Sequence, residues 1–171
     1  MNRINIRELV LNFIFMMFLQ LPLIYRVVLF NTAFGFFYVG FILLLPTKLS
    51  RSYLMLIGFC SGLFVDIFTN TPGIHASACV FIMFIRNFWL SVIDDDWKEF
   101  TNLNVATLNR TDFSRYLFPL IFVHHFILFT VENGGFHLFG SLFTRILCSA
   151  VFSFIIIFVI NLLVKLSGKR A

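Results

Sequence analysis

Charge is what this sequence has least of. Among its 171 residues only 12% are Asp, Glu, Lys or Arg, about half the share carried by an ordinary soluble domain. So little charge would leave broad apolar patches facing water, which excludes a soluble globular protein. With so many apolar residues it excludes a disordered chain as well. Cysteine is sparse and odd in number. Cys60, Cys79 and Cys148 each lie inside an apolar stretch, so a disulfide framework is excluded and small buried packing residues are expected. Signatures of catalysis are missing too. There is no GxSxG, CxxC, HExxH or glycine loop for a phosphate, and the nucleophilic, zinc-peptidase and nucleotide chemistries have no carrier.

What is present is apolar. Hydrophobic residues make up 60% of the chain, aromatics 19% with 26 Phe, and the mean hydropathy is +0.94. In lipid every backbone polar group has to be paired inside the spanning segment. The expected fold is therefore an all-α polytopic membrane protein, a single helical domain over residues 1–171. The net charge of +5 does not point to nucleic acid, because the basic residues punctuate apolar runs instead of gathering on a wet face.

A hydrocarbon layer of about 30 Å asks for roughly 17–25 apolar residues per helix. Six transmembrane helices are expected, over residues 9–30, 32–45, 53–68, 74–93, 113–131 and 138–164. The first follows Arg3 and Arg7 and has no small-residue cleavage site, since Gln20, Leu21 and Pro22 stand there; it reads as an uncleaved anchor. The second is short, about 20 Å of helix, and ends at Pro46. Six crossings with both termini in the cytosol leave Arg26 and Arg145 outside and the other 11 of the 13 Lys and Arg inside, the asymmetry expected of a multi-pass membrane protein. Arg86 is among the inside set, and Tyr53, Trp89, Trp97 and Tyr116 are placed at the inner boundary. Asp94, Asp95 and Asp96 lack the spacing of a calcium loop and read as a solvated cytoplasmic stretch.

The richest segment is Gly58 to Asp66, continuing through Gly73, Ile74, His75 and Ala76. Gly58, Gly62 and Asp66 recur every four residues and share one helix face, with two glycines that permit close backbone approach. A carboxylate inside a membrane needs a partner or a role. Arg145 lies at matching depth and is the expected partner of Asp66, in an ion pair or hydrogen bond that fixes helix packing. Ion transfer and docking of another protein are the alternatives. His75, His124, His125, Glu132 and His137 do not read as a metal site. No pair has i, i+4 spacing, and the adjacent His124 and His125 point about 100° apart on a helix.

These stretches resemble a known family, the rod shape-determining membrane protein MreD. The resemblance rests on Phe18-Leu19-Gln20 with Pro22, on Leu43-Leu44-Leu45-Pro46, on Gly58 through Asp66, and on Gly73-Ile74-His75-Ala76-Ser77-Ala78, with Arg86 also fitting. Residues 93–171 match in character only, and Pro72 before Gly73 is a departure from the pattern. The resemblance implies a non-catalytic subunit of the bacterial cell-elongation machinery. It would bind the membrane-anchored protein MreC and work with actin-like MreB, the RodA glycosyltransferase and a class B penicillin-binding protein in peptidoglycan synthesis, without a cofactor. The family also resembles, in its six-helix fold, the substrate-binding subunits of vitamin-type energy-coupling transporters, which supplies the rival function. Gly58, Gly62, Asp66, Gly73, His75 and Arg145 are the expected helix-packing or partner-interface residues.

Overall fold

The computed structural model describes residues 32–47, 49–93 and 105–168, together with 11, 14, 28 and 29. Two two-residue strands, β1 (Val28–Leu29) and β2 (Ala33–Phe34), pair antiparallel with Val28 opposite Phe34 and Leu29 opposite Ala33. A six-residue helix, α1 (Tyr38–Leu43), follows. Then come four long helices: α2 (Arg51–Thr69), α3 (Ile74–Ile93), α4 (Arg110–Glu132) and α5 (Phe139–Gly168). A single 3₁₀ turn at Val105–Thr107 precedes α4.

The four long helices have the length and hydropathy to cross a membrane. Local chemistry sets their ends. The Ser50 hydroxyl accepts from the Tyr53 amide at the start of α2, and the Asn109 side chain accepts from the Asp112 amide at the start of α4, each satisfying one of the orphan donors of a first turn. At its other end α2 closes on Asn70, whose φ of 55° is left-handed, a conformation that Asn tolerates.

Burial runs inside out relative to a soluble protein. Asp66, His75, Arg86, His124, His125, Ser149 and Ser153 are all buried, whereas Leu56, Phe59, Ile67, Phe88, Val159 and Leu163 are exposed on the outer faces. Water would penalise that distribution, and hydrocarbon favours it.

Four of the six expected helices are present among the described residues. The first expectation, 9–30, falls largely outside the described residues, and its end is strand at Val28–Leu29. The second, 32–45, is not a continuous helix, since only Tyr38–Leu43 is α-helical. This segment nevertheless runs the length of the bundle. Phe34 lies tilted against Phe129 and under Arg145, Phe36 meets His125, Tyr38 meets His124, and the Leu43 carbonyl meets Tyr116. Its neighbours on α4 thus descend steadily from 129 to 116. An extended residue advances about 3.3 Å where a helical one advances about 1.5 Å, so opening the chain before Tyr38 gives a short stretch the reach that a helix of its length lacks. Phe36, Phe37 and Tyr38 through Leu43 are buried, and non-helical backbone at membrane depth is tolerated only under such cover.

Candidate functional site

Asp66 is where the sequence motif becomes geometry. Its carboxylate, 2% exposed, accepts four hydrogen bonds: from the Thr71 hydroxyl at 3.0 Å, and from the amides of Gly73 at 3.1 Å, His75 at 2.9 Å and Ala76 at 3.0 Å. The last three donors belong to the first turn of α3, whose amides have no partner inside the helix. Asp66 therefore caps the helix after its own, and places a negative charge at the positive end of that helix dipole. Gly73 makes the turn possible. Its φ of +86° lies in the left-handed region that glycine adopts without cost.

The two glycines upstream set the distance between α2 and α3. A Cβ at Gly62 would lie 2.5 Å from the Ala76 backbone, and one at Gly58 would lie 2.8 Å from the Met83 side chain and 3.1 Å from the Cys79 carbonyl. Gly58, Gly62, Asp66, Gly73 and His75 are thus brought into one contact between two helices of the same chain. The face that Gly58, Gly62 and Asp66 share on α2 is covered by α3, which removes it as a surface for another protein, whereas Gly73 is exposed.

Arg145 is not the partner of Asp66. Its guanidinium bonds Glu132 at 3.1 Å and lies over the rings of Phe34 and Phe129, with centroids 4.7 and 4.3 Å away. Depth along the helices is similar, but α5 follows α4 and packs beside β2, and the arginine is drawn to the carboxylate across the α4–α5 turn. Glu132 is its counter-ion. Arg145 and His75 do share one small recess of about 130 Å³, together with Phe34, Thr69, Thr71 and Glu132.

Beside this recess a hydrogen-bonded chain holds the irregular segment around α1. The His75 Nδ1 and the His124 Nε2 lie 3.0 and 2.9 Å from the Tyr38 hydroxyl. The Ser149 and Ser153 hydroxyls accept from the amides of Phe34 and Phe36 at 2.9 and 3.0 Å, and Ser153 also bonds His125 Nε2 at 3.2 Å. At the far end of α1, Tyr116 donates to the Leu43 carbonyl at 2.7 Å, and Arg86 bonds both Tyr116 Oη, at 2.7 Å, and the Leu45 carbonyl. A cation beside the last carbonyls of a helix is favourable by charge and by hydrogen bonding.

Comparison with known protein families, curated proteins and solved structures gave no match.

Several placements differ from expectation. Arg86 and Tyr116 do not mark the inner boundary; both are fully buried and serve the crossing segment. The signal for Arg86 was available, since a charge in the middle of an apolar run marks a site by default. Trp89 sits at the basic end, where its indole donates to the Arg115 carbonyl at 3.0 Å, and Trp97 lies outside the described residues, as do Asp94, Asp95 and Asp96. Of the cysteines only Cys79 is buried; Cys60 and Cys148 face outward, as an apolar thiol does in lipid. Ser61 bonds the Ile57 carbonyl, the back-bonding expected of a mid-span serine, whereas the use of Ser149 and Ser153 as acceptors for the crossing strand carried no sequence signal.

Proposed function

We propose that this chain is a multi-pass subunit of the bacterial cell-elongation machinery, resembling MreD, that binds MreC in the inner membrane and helps organise peptidoglycan synthesis with MreB, RodA and a class B penicillin-binding protein. One observation carries the reading. The most specific stretch of the resemblance, Gly58-Gly62-Asp66-Gly73-His75, forms a single structural unit in which the carboxylate and the glycines are spent on joining α2 to α3. Polar groups committed to internal architecture suit an assembly protein that performs no reaction. Since the glycine face is internal, contact with MreC falls to the outward apolar faces of the bundle. Arg51, Arg110, Arg115 and Lys165 lie at one end and face the cytosol in this reading, with both termini.

The rival is a vitamin-type uptake subunit, which the recess beside His75 and Arg145 favours. Its volume of about 130 Å³ falls short of the roughly 300–1,000 Å³ usual for small-molecule sites. Affinity purification from native membranes in mild detergent separates the two. Stoichiometric recovery of MreC or other cell-wall proteins is the expected result; recovery of ATP-binding subunits, or a rise in melting temperature with a vitamin-like ligand, would transfer the assignment to the transporter.

A further inference from the structure

The recess beside Arg145 meets the hydrogen-bonded chain at one ring, His75, which is buried and forms part of the recess wall. His75 spends Nδ1 on the Tyr38 hydroxyl at 3.0 Å and its amide on Asp66, and its Nε2 makes no hydrogen bond among the described residues. On the other side of that hydroxyl, His124 spends Nε2 at 2.9 Å, and its Nδ1 is buried without a partner. Each imidazole therefore has one nitrogen inside the chain and one at a terminus.

A neutral imidazole has one N–H and one accepting nitrogen, and a tyrosine hydroxyl donates once. The neutral chain thus holds three protons. Two occupy the bonds on either side of the Tyr38 oxygen, and the third sits on His75 Nε2 or on His124 Nδ1. Arg145 lines the same recess with its Nε–H unpartnered, which favours a bare, accepting nitrogen on His75 and leaves the third proton on His124. A proton from water in the recess then binds His75 Nε2. As it does so, Nδ1 passes its proton to the Tyr38 oxygen and the hydroxyl passes its own to His124 Nε2. Both bonds survive, and one positive charge is shared by the two rings.

Titratable groups face the chain from each long helix: Asp66 on α2, Cys79 on α3, His125 and Glu132 on α4, and Arg145 on α5. The Asp66 carboxylate and the Phe36 ring, whose centroid lies 5.3 Å from that of His75, favour an added cation. Arg145 opposes it but is paired with Glu132. His125 has no vacancy, since its Nδ1 meets the Ile121 carbonyl, which only accepts, and its Nε2 meets Ser153. Beyond His124 the track ends. Leu117, Leu120 and Ile121 are buried, and the next polar side chain of α4 toward its start, Tyr116, is about 12 Å away along the helix. We propose that His75, Tyr38 and His124 form a proton-binding site, loaded through the recess and closed beyond His124, that holds one proton more than its neutral complement. The site needs neither the assembly nor the transport reading, so its failure leaves both untouched.

The test is ¹⁵N NMR of the full chain, labelled at histidine, in lipid nanodiscs. At neutral pH His75 and His124 are both expected to be neutral with the proton on Nδ1. As pH falls from about 7.5 to about 4, their signals should shift in constant proportion and together account for no more than one imidazolium. His125 should stay fixed, and the exposed His137 should titrate by itself. His75→Gln can bond Tyr38 but relays no proton, and should leave His124 neutral throughout. Tyr38→Phe keeps the ring and removes the relay, so His75 alone should titrate. Neither ring shifting, the two rings shifting independently with Tyr38 in place, or His124 shifting in the His75→Gln chain would overturn the proposal.

Discussion

Asp66 gathers four donors within one turn, three of them amides that α3 cannot satisfy itself. Removing the carboxylate leaves those amides buried and unpaired, so Asp66→Ala is expected to cost about 3 kcal/mol, read as a lower denaturation midpoint in mixed micelles. Because the partners are backbone and Thr71, neutralising Arg145 should not relieve that cost. A double-mutant cycle between Asp66→Ala and Arg145→Ala should give a coupling within about 0.5 kcal/mol of zero. The cycle between Glu132→Gln and Arg145→Ala should give up to about 1 kcal/mol, the upper range for a pair that solvent still screens. A large Asp66–Arg145 coupling would restore the ion pair that depth along the sequence suggested. Periodicity alone brought Asp66 to notice, but it carries no information about which direction an acid turns, and the amides of a following helix were the nearer partners.

Between elements, the α2–α3 crossing and the irregular segment respond to different substitutions. Any side chain at Gly62 meets the Ala76 backbone, which has no rotamer to give. Gly62→Ala is expected to cost at least about 1–3 kcal/mol by overpacking, and Gly62→Leu to push the two helices apart while leaving membrane insertion intact. Loss of MreC recovery in Gly62→Leu would then accompany a lowered unfolding midpoint; loss without destabilisation would contradict an internal face. For the crossing strand, Ser149→Ala and Ser153→Ala strip acceptors from the amides of Phe34 and Phe36. Each should cost about 1–3 kcal/mol and speed hydrogen exchange at those two amides, with α2 and α3 unaffected.

Across the whole molecule, hydropathy located the four long helices because lipid-facing Phe, Leu and Ile repeat over enough residues to be seen without partners. The segment from 32 to 45 escaped the helical expectation for the opposite reason. Its residues are apolar because protein surrounds them, and its backbone is satisfied by Ser149, Ser153, Tyr116 and Arg86 from distant parts of the chain, so nothing local announces that it is open. It runs from the Arg145 end to the Arg51 end, and an order of six crossings is the proposal that the distribution of basic residues suggests. That order has a direct check. With Cys60 and Cys148 replaced by Ala, single cysteines at Ser52 and Thr111 mark one end of the bundle and one at His137 marks the other, all at exposed positions. A membrane-impermeant thiol reagent should reach the first two only from the cytoplasmic side and the third only from the opposite side, because translocating the end that bears Arg51, Arg110, Arg115 and Lys165 is disfavoured. Labelling of the His137 position from the cytoplasmic side would invert the bundle.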